Sequence, residues 1–207
     1  IKSSAASDVY KRQEETLNVY PFAFALKITY TLKKHDLEVC WEVVNNDSET
    51  MYFTIGGHPA FRVPVREGES QSDYRLAFEG LDTLTYLLID TSVGTVLADE
   101  PHTLSLENGT CSIAPHMFDK DALVFDNGQI QKAGILFPDG TPYLTLTSEG
   151  FPNFGIWSVP GAPFVCLEPW MGRCDDCGFE KPLSEKANIN VLKPDEEFIK
   201  SYQITVH

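Results

Sequence analysis

Two residues in this chain have the types and surroundings that acid–base chemistry requires. The first is Glu168, in the stretch FGIWSVPGAPFVCLEPW from Phe154 to Trp170. That stretch reads as two short strands joined by a Pro/Gly-rich turn, with the acid at the end of the second. Cys166 and Leu167 precede it, and Pro169 and Trp170 cap it from the other side. Apolar surroundings strip water from a carboxylate and raise its pKa toward the range useful to a general base. A strand-end glutamate turned out to water fits the same residues, since most glutamates are solvated. The second residue is His58, in MYFTIGGHPAF from Met51 to Phe61. A β-rich run stops at Gly56-Gly57, where the backbone can turn sharply, and Pro59 restricts His58 to an extended conformation. An imidazole held this way has a defined direction and can carry a transferable proton near neutrality. A purely structural histidine beside a turn is the other reading.

Several separate motifs occur in one order along the chain: YPFAF at Tyr20, LEVCWEVVNND from Leu37, GGHPAF at Gly56, FDKDALVF at Phe118, FGIWS at Phe154 and CLEPWMGRCD at Cys166. Together they resemble the aldose 1-epimerase (galactose mutarotase-like) family, most closely its LacX-like branch. The resemblance runs from about Glu15 to the C-terminus. It implies a galactose mutarotase-like β-supersandwich of two large, mainly antiparallel sheets. It also implies interconversion of the α and β anomers of a hexose by ring opening and reclosure. In that reaction a base takes the anomeric hydroxyl proton while an acid protonates the ring oxygen, with the two groups expected on opposite sides of the sugar ring. Neither a metal nor a redox cofactor is required.

The roles implied are Glu168 as base and His58 as acid, reversing on reclosure. Asp121, at the opening of a strand, is implied to hold sugar hydroxyls, although an aspartate closing a turn reads the same way. Trp157 and Trp170 offer an apolar face to the C–H side of the ring, and either is equally suited to a core position. Two alternatives stay open. A hexose-6-phosphate 1-epimerase shares the fold but calls for clustered arginines, and the sequence offers only Arg62 and Arg66 around a charged loop. A non-catalytic carbohydrate-binding module is the other.

Members of the LacX-like branch carry a substantial portion before the YPF motif. It includes an HGFAR-like segment that supplies a second histidine and an arginine. No such segment occurs in this sequence, so the resemblance covers the C-terminal two-thirds or so of a member, a sandwich incomplete at the N-terminus. Such a chain is expected to bind sugar weakly and to turn it over little. Residues 1–13, IKSSAASDVYKRQ, are polar, lack an apolar period and share nothing with the family; they are read as a non-native or mis-joined leader, with the domain at 14–207.

Composition agrees with a compact domain that handles a neutral ligand. The 207 residues, 43% hydrophobic, suffice for one sizeable core. Lys and Arg number 16 against 30 Asp and Glu, and the resulting charge of −14 opposes nucleic-acid or acidic-membrane binding. No apolar run is long enough for a membrane span. The five cysteines, Cys40, Cys111, Cys166, Cys174 and Cys177, are odd in number and scattered. That argues against a disulfide framework and for free thiols in a reducing cytoplasm. Cys174-Asp-Asp-Cys177 has CxxC spacing, but without a second ligand pair it reads as no metal site.

The elements that position these residues are strands throughout. Phe24, Leu26, Ile28, Tyr30 and Leu32 alternate with Ala25, Lys27, Thr29 and Thr31, and Leu37, Val39, Trp41 and Val43 alternate with Glu38, Cys40 and Glu42. Period two over this length means half-buried strands, joined here through Lys33–Asp36 as a hairpin with His35 in its turn. Further strands are expected at Met51–Ile55, Tyr74–Phe78, Thr83–Ile89, Cys111–Ala114, Tyr143–Thr147, Phe154–Ser158, Pro163–Glu168, Ile189–Leu192 and Phe198–Val206. His116 falls in a loop. Many short strands with regular turns and no helical period indicate an all-β sandwich.

Overall fold

A computed structural model describes residues 3–11 and 17–207. The boundary expected between residues 13 and 14 lies outside the described residues. In chain order the strands are β1 Ser3–Lys11, β2 Phe24–Lys33, β3 Asp36–Asn45, β4 Met51–Phe53, β5 Ile55–Gly56, β6 Ala60–Arg62, β7 Arg75–Phe78, β8 Thr83–Tyr86, β9 Ile89–Asp90 and β10 Thr95–Val96. They continue with β11 His102–Ser105, β12 Thr110–Ser112, β13 Leu123–Phe125, β14 Lys132–Leu136, β15 Pro142–Thr147, β16 Asn153–Trp157, β17 Phe164–Met171, β18 Asn190–Leu192 and β19 Glu197–Val206.

Eight of these form one antiparallel sheet in the order β1-β2-β3-β19-β15-β14-β7-β12. Its long members are the sequences with the clearest alternation. In β3, Val39, Trp41 and Val43 are buried, while Glu38, Cys40 and Glu42 are only partly so. β2 and β3 pair from Phe24 with Asn45 to Lys33 with Asp36, closing the hairpin through Lys34 and His35. β1 runs antiparallel to β2, Ser3 opposite Lys33 and Lys11 opposite Ala25, in a stretch set apart from the domain on sequence. Ladder hydrogen bonds belong to the backbone, so a strand can form where side chains show no apolar period.

The second sheet is β13-β16-β17, with β5 and β6 both pairing along the far flank of β17. One core fills the space between the two sheets. Trp41, Leu76, Ile135, Leu144, Leu146 and Ile204 come from the eight-stranded sheet; Leu123, Phe125, Phe154, Ile156, Val165 and Leu167 come from the other. Trp41 packs edge-on against Phe151 and Tyr202, with ring centroids 5.9 and 5.5 Å apart. Among the described residues, no helix is long and apolar enough to cross a membrane.

Four expectations change. The run Thr83–Ile89 is two strands, β8 pairing with β11 and β9 with β10. The run Met51–Ile55 is two strands, because β4 pairs with β18 and β5 with β17, and Thr54 is where the chain changes sheets. β17 does not stop at Glu168 but continues to Met171. Asp121 does not open a strand: β13 begins at Leu123, and Asp121 sits in the preceding turn with φ of 73°.

Candidate functional site

Strand alternation sorts β17 into two faces. Val165 and Leu167 point into the core, so Cys166, Glu168 and Trp170 share the opposite face. Pro169 is tolerated in mid-strand for a specific reason. The N–H and C=O of one residue project to the same flank of a strand, and the Pro169 carbonyl accepts from Gly57 N–H at 2.9 Å, on the β5/β6 flank. The missing proline N–H therefore falls where the pairing is already interrupted, and no bond to β16 is lost.

That interruption positions the histidine. β5 ends at Gly56, opposite Trp170, and β6 begins at Ala60, opposite Cys166. Between them residues 57–59 arch past Glu168, tied down by the Gly57 bond and by Leu167 N–H donating to the Pro59 carbonyl at 3.3 Å. Glycine is required at 57 because a Cβ there would lie 2.9 Å from the Tyr202 hydroxyl oxygen and 3.0 Å from its ring. His58 stands at the crest. Its Nε2 lies 3.4 Å from Glu168 Oε1, with the imidazole 60% exposed and the glutamate side chain 4% exposed. The acid and base were expected across a sugar ring from each other. No ring fits within 3.4 Å, so they stand side by side.

Burial pushes the Glu168 carboxyl up to about 7; a hydrogen bond from the Trp170 side chain pulls it down, and the charge of Asp121 adds to the rise. The Trp170 indole is seated between two glycines on the neighbouring strands. A Cβ on Gly56 would lie 2.5 Å from Trp170 Cδ1, and one on Gly155 would lie 2.3 Å from Cζ2. Trp157 meets His58 edge-on, with centroids 5.7 Å apart at 86°. Asp121 accepts a hydrogen bond from Ala122 N–H at 2.6 Å. A left-handed φ is costly for a residue with a Cβ and is worth noting beside a charged cluster.

The structure thus brings His58, Glu168, Trp157 and Trp170 together, with Asp121 in electrostatic reach. The remaining candidates lie apart. Arg66 is held by Glu69 and Asp139 at 3.6 and 3.7 Å and stacks on Phe137 at 4.2 Å. His116 is exposed and paired with Asp119 at 2.8 Å. Arg62 is exposed on β6.

Sequence reasoning misses two participants. Cys166, fully buried, reads there as an apolar neighbour of Glu168; it shares Glu168's face two residues away, which is the signal that could have found it. One donor atom from each of His58, Cys166 and Glu168 lies within 4.8 Å of the others, a thiol, imidazole and carboxylate that could hold a cation. Arg173 is the second. Its Nε and Nη2 donate to Asp126 at 2.9 and 2.8 Å, and Nη2 also meets Asp176 at 2.8 Å. Asn153 Nδ2 donates to the same Asp126 at 2.7 Å. Burial alone would loosen the Arg173 proton, but the two carboxylates outweigh it and hold the guanidinium charged.

A cleft of about 360 Å³ opens here, lined by His58, Trp170, Gly56, Gly57, Arg173 and Cys174 among others. That volume is in the range of small-molecule sites, roughly 300–1,000 Å³. A cavity of about 390 Å³ beside β4, lined by Tyr20, Phe24, Leu26, Met51 and Phe53, is more apolar and holds no acid–base pair.

Comparison with known proteins gives consistent matches. The model of the aldose 1-epimerase family matches residues 2–202. The plasmid and chromosomal LacX proteins of Lactococcus lactis subsp. lactis are each 30% identical over 199 residues, which is 95% of this chain and 66% of theirs. The chain therefore spans just under two thirds of the length of the curated relatives it matches. Among solved structures, a galactose mutarotase related enzyme from Lactobacillus acidophilus superposes with a TM-score of 0.88 at 28% identity, over 98% of this chain and 68% of that one. A galactose mutarotase-like protein from Lactobacillus casei gives a TM-score of 0.85 at 27% identity, over 99% of this chain and 70% of that one.

Proposed function

Because this chain belongs to the aldose 1-epimerase family, we propose that His58 and Glu168 are the acid and base of an anomer-interconverting site for an unphosphorylated hexose. The observation that carries this reading is the 3.4 Å contact between His58 Nε2 and Glu168 Oε1. The ring oxygen and the anomeric hydroxyl are both bonded to C1. Groups that serve them can therefore approach one edge of the sugar side by side, each within roughly 2.6–3.2 Å of its own oxygen.

In the forward direction the carboxylate of Glu168 takes the proton of the anomeric hydroxyl as the imidazolium of His58 gives one to the ring oxygen. The C1–ring oxygen bond breaks and leaves an open-chain aldehyde. Rotation about C1–C2 turns the other carbonyl face toward the ring-closing hydroxyl. On reclosure His58 takes back its proton and Glu168 returns one to the new anomeric oxygen, so no proton is gained or lost. Burial makes Glu168 a stronger base than an exposed glutamate, and the Trp170 side chain offsets part of that rise. Asp121, whose charge reaches Glu168, holds sugar hydroxyls, and Trp157 presents its ring beside His58.

An unphosphorylated sugar is favoured over a hexose 6-phosphate by the state of the arginines. Arg173 at the cleft is committed to Asp126 and Asp176, and Arg66 to Glu69 and Asp139. The test is polarimetry on freshly dissolved α-glucose and α-galactose. It uses the 207-residue chain and the same chain joined to the part of the lactococcal relative that it does not cover. Acceleration that disappears in Glu168→Gln supports the proposal. Binding of sugar with no acceleration in either form leaves a binding module instead.

A further inference from the structure

We propose that His58, Cys166 and Glu168 form a binding site for one Zn²⁺ ion, and that the ion switches the site off by occupying both proton-transfer groups. The metal-binding part stands on the geometry alone; only the inhibition rests on the epimerase reading.

Among the described residues this is the one cluster in which three His, Cys, Asp or Glu side chains bring donor atoms within 4.8 Å of one another. Cys166 and Glu168 are fixed by their shared face of β17, and His58 reaches them from the arch. Tetrahedral zinc, with bonds of about 2.0–2.3 Å, sets its donors roughly 3.3–3.8 Å apart. The His58–Glu168 pair at 3.4 Å already meets this. The two separations from Cys166, each within 4.8 Å, need to close by up to about 1.3 Å, because tetrahedral zinc sets a sulfur roughly 3.5 Å from a nitrogen or oxygen ligand. His58 can supply the movement on its side, because its ring is largely exposed, and the Cys166–Glu168 separation closes by rotation of those two side chains on β17.

Burial and the charge of Glu168 push the Cys166 thiol up to about 12, so the ion has to displace its proton; once displaced, the charges balance. On binding, the Cys166 thiol proton leaves to solvent and a Zn–S bond replaces the S–H bond. Thiolate and carboxylate together then balance the 2+ charge, and neutral imidazole adds none. The buried complex is neutral overall, which avoids the cost of an uncompensated charge away from water. A thiolate in the set selects Zn²⁺ over Mg²⁺ or Ca²⁺. Trp170 stands behind Glu168 and shifts its carboxyl, as groups behind a metal ligand commonly do. His58 also lines the cleft, from which a water molecule would complete the four-coordinate set. A zinc ion there uses the His58 lone pair and the Glu168 oxygen, so neither can move a proton. Cys174-Asp-Asp-Cys177, the pair with ligand-like spacing, is a poorer candidate because among the described residues no third donor converges on it.

The experiment is a titration of the chelator-treated 207-residue chain with Co²⁺, the spectroscopic substitute for Zn²⁺. One equivalent should bind, with a near-ultraviolet thiolate-to-cobalt charge-transfer band and the intense visible bands of a four-coordinate site, and Zn²⁺ should bleach both. Cys166→Ser should abolish the near-ultraviolet band, while Cys174→Ser/Cys177→Ser should keep it. His58→Asn, a change at an exposed side chain that leaves the fold standing, should weaken binding by at least about tenfold. It decides the matter if circular dichroism finds Cys166→Ser unfolded. No band, a band that survives Cys166→Ser in a folded protein, a band lost in the double serine variant, or undiminished affinity in His58→Asn overturns the proposal. A cobalt site that behaves as described while Zn²⁺ leaves anomer exchange untouched upholds the metal site. It removes His58 and Glu168 from the epimerase mechanism.

Discussion

The far edge of the Trp170 indole lies over Gly155, so close that a Cβ at Gly155 would be 2.3 Å from Cζ2 and 2.4 Å from Cη2. Gly155 is also the residue paired with Glu168 across β16 and β17. The indole that hydrogen-bonds Glu168 is therefore seated on Glu168's own cross-strand partner. Gly56 closes the other side of the slot, where a Cβ would lie 2.5 Å from Cδ1, so the ring cannot pivot away from an added group. Gly155→Ala should cost about 1–3 kcal/mol from overpacking. It should also lower turnover, because the displaced indole no longer fixes the carboxylate. Thermal unfolding and polarimetry on the same preparation check both; an alanine variant of wild-type stability and rate would show that the slot is looser than its distances say.

Glu168→Gln keeps shape and volume and removes basicity. Anomer exchange should fall by roughly 10²–10⁴, the usual loss when a positioned acid or base is removed. Sugar binding, followed by calorimetry or tryptophan fluorescence, should persist. Normal turnover in this variant would return Glu168 to a structural role.

His58→Asn tests the partner. The imidazole is largely exposed and stands on an arch between two short strands, so its removal should leave the melting temperature nearly unchanged while turnover drops. A variant that unfolds, or that keeps the full rate, would make His58 structural.

The parts of this arrangement that are legible in the sequence are those that depend on local pattern. β3 and most of β19 are half-buried, so their alternation appears residue by residue, whereas in β2 the apolar Tyr30 and Leu32 are exposed. β14, at Lys132–Leu136, escapes sequence reading because Ala133, Gly134 and Ile135 are all buried, and a strand covered on both faces shows no period. The extension of β17 is hidden by Pro169, which reads as a strand end until the interruption on the β5/β6 flank is seen. Glu168 and His58 stand out through their immediate neighbours. Their contact is not visible in the sequence, since it depends on β17 exchanging one partner strand for another beside Glu168. The same long-range exchange brings Cys166 and Glu168 within reach of one imidazole, a set that no sequence spacing announces.

At the base of the cleft, Arg173 is only 7% exposed and holds Asp126 with two nearly parallel bonds, while Asp126 also accepts from Asn153, the residue opposite Trp170. Arg173→Met fills most of the same volume but leaves the half-buried Asp126 without its cation. Breaking a buried pair from one side costs about 3–5 kcal/mol, mostly for the charge left behind. Replacing both partners, Arg173→Met with Asp126→Asn, removes that charge and keeps an acceptor for Asn153. The double variant should therefore recover much of the stability lost in the single one. Chemical denaturation of the wild type, both single variants and the double variant gives the coupling between the two sites directly. If the two changes simply add, the ion pair contributes nothing of its own, and the floor of the cleft is held by packing.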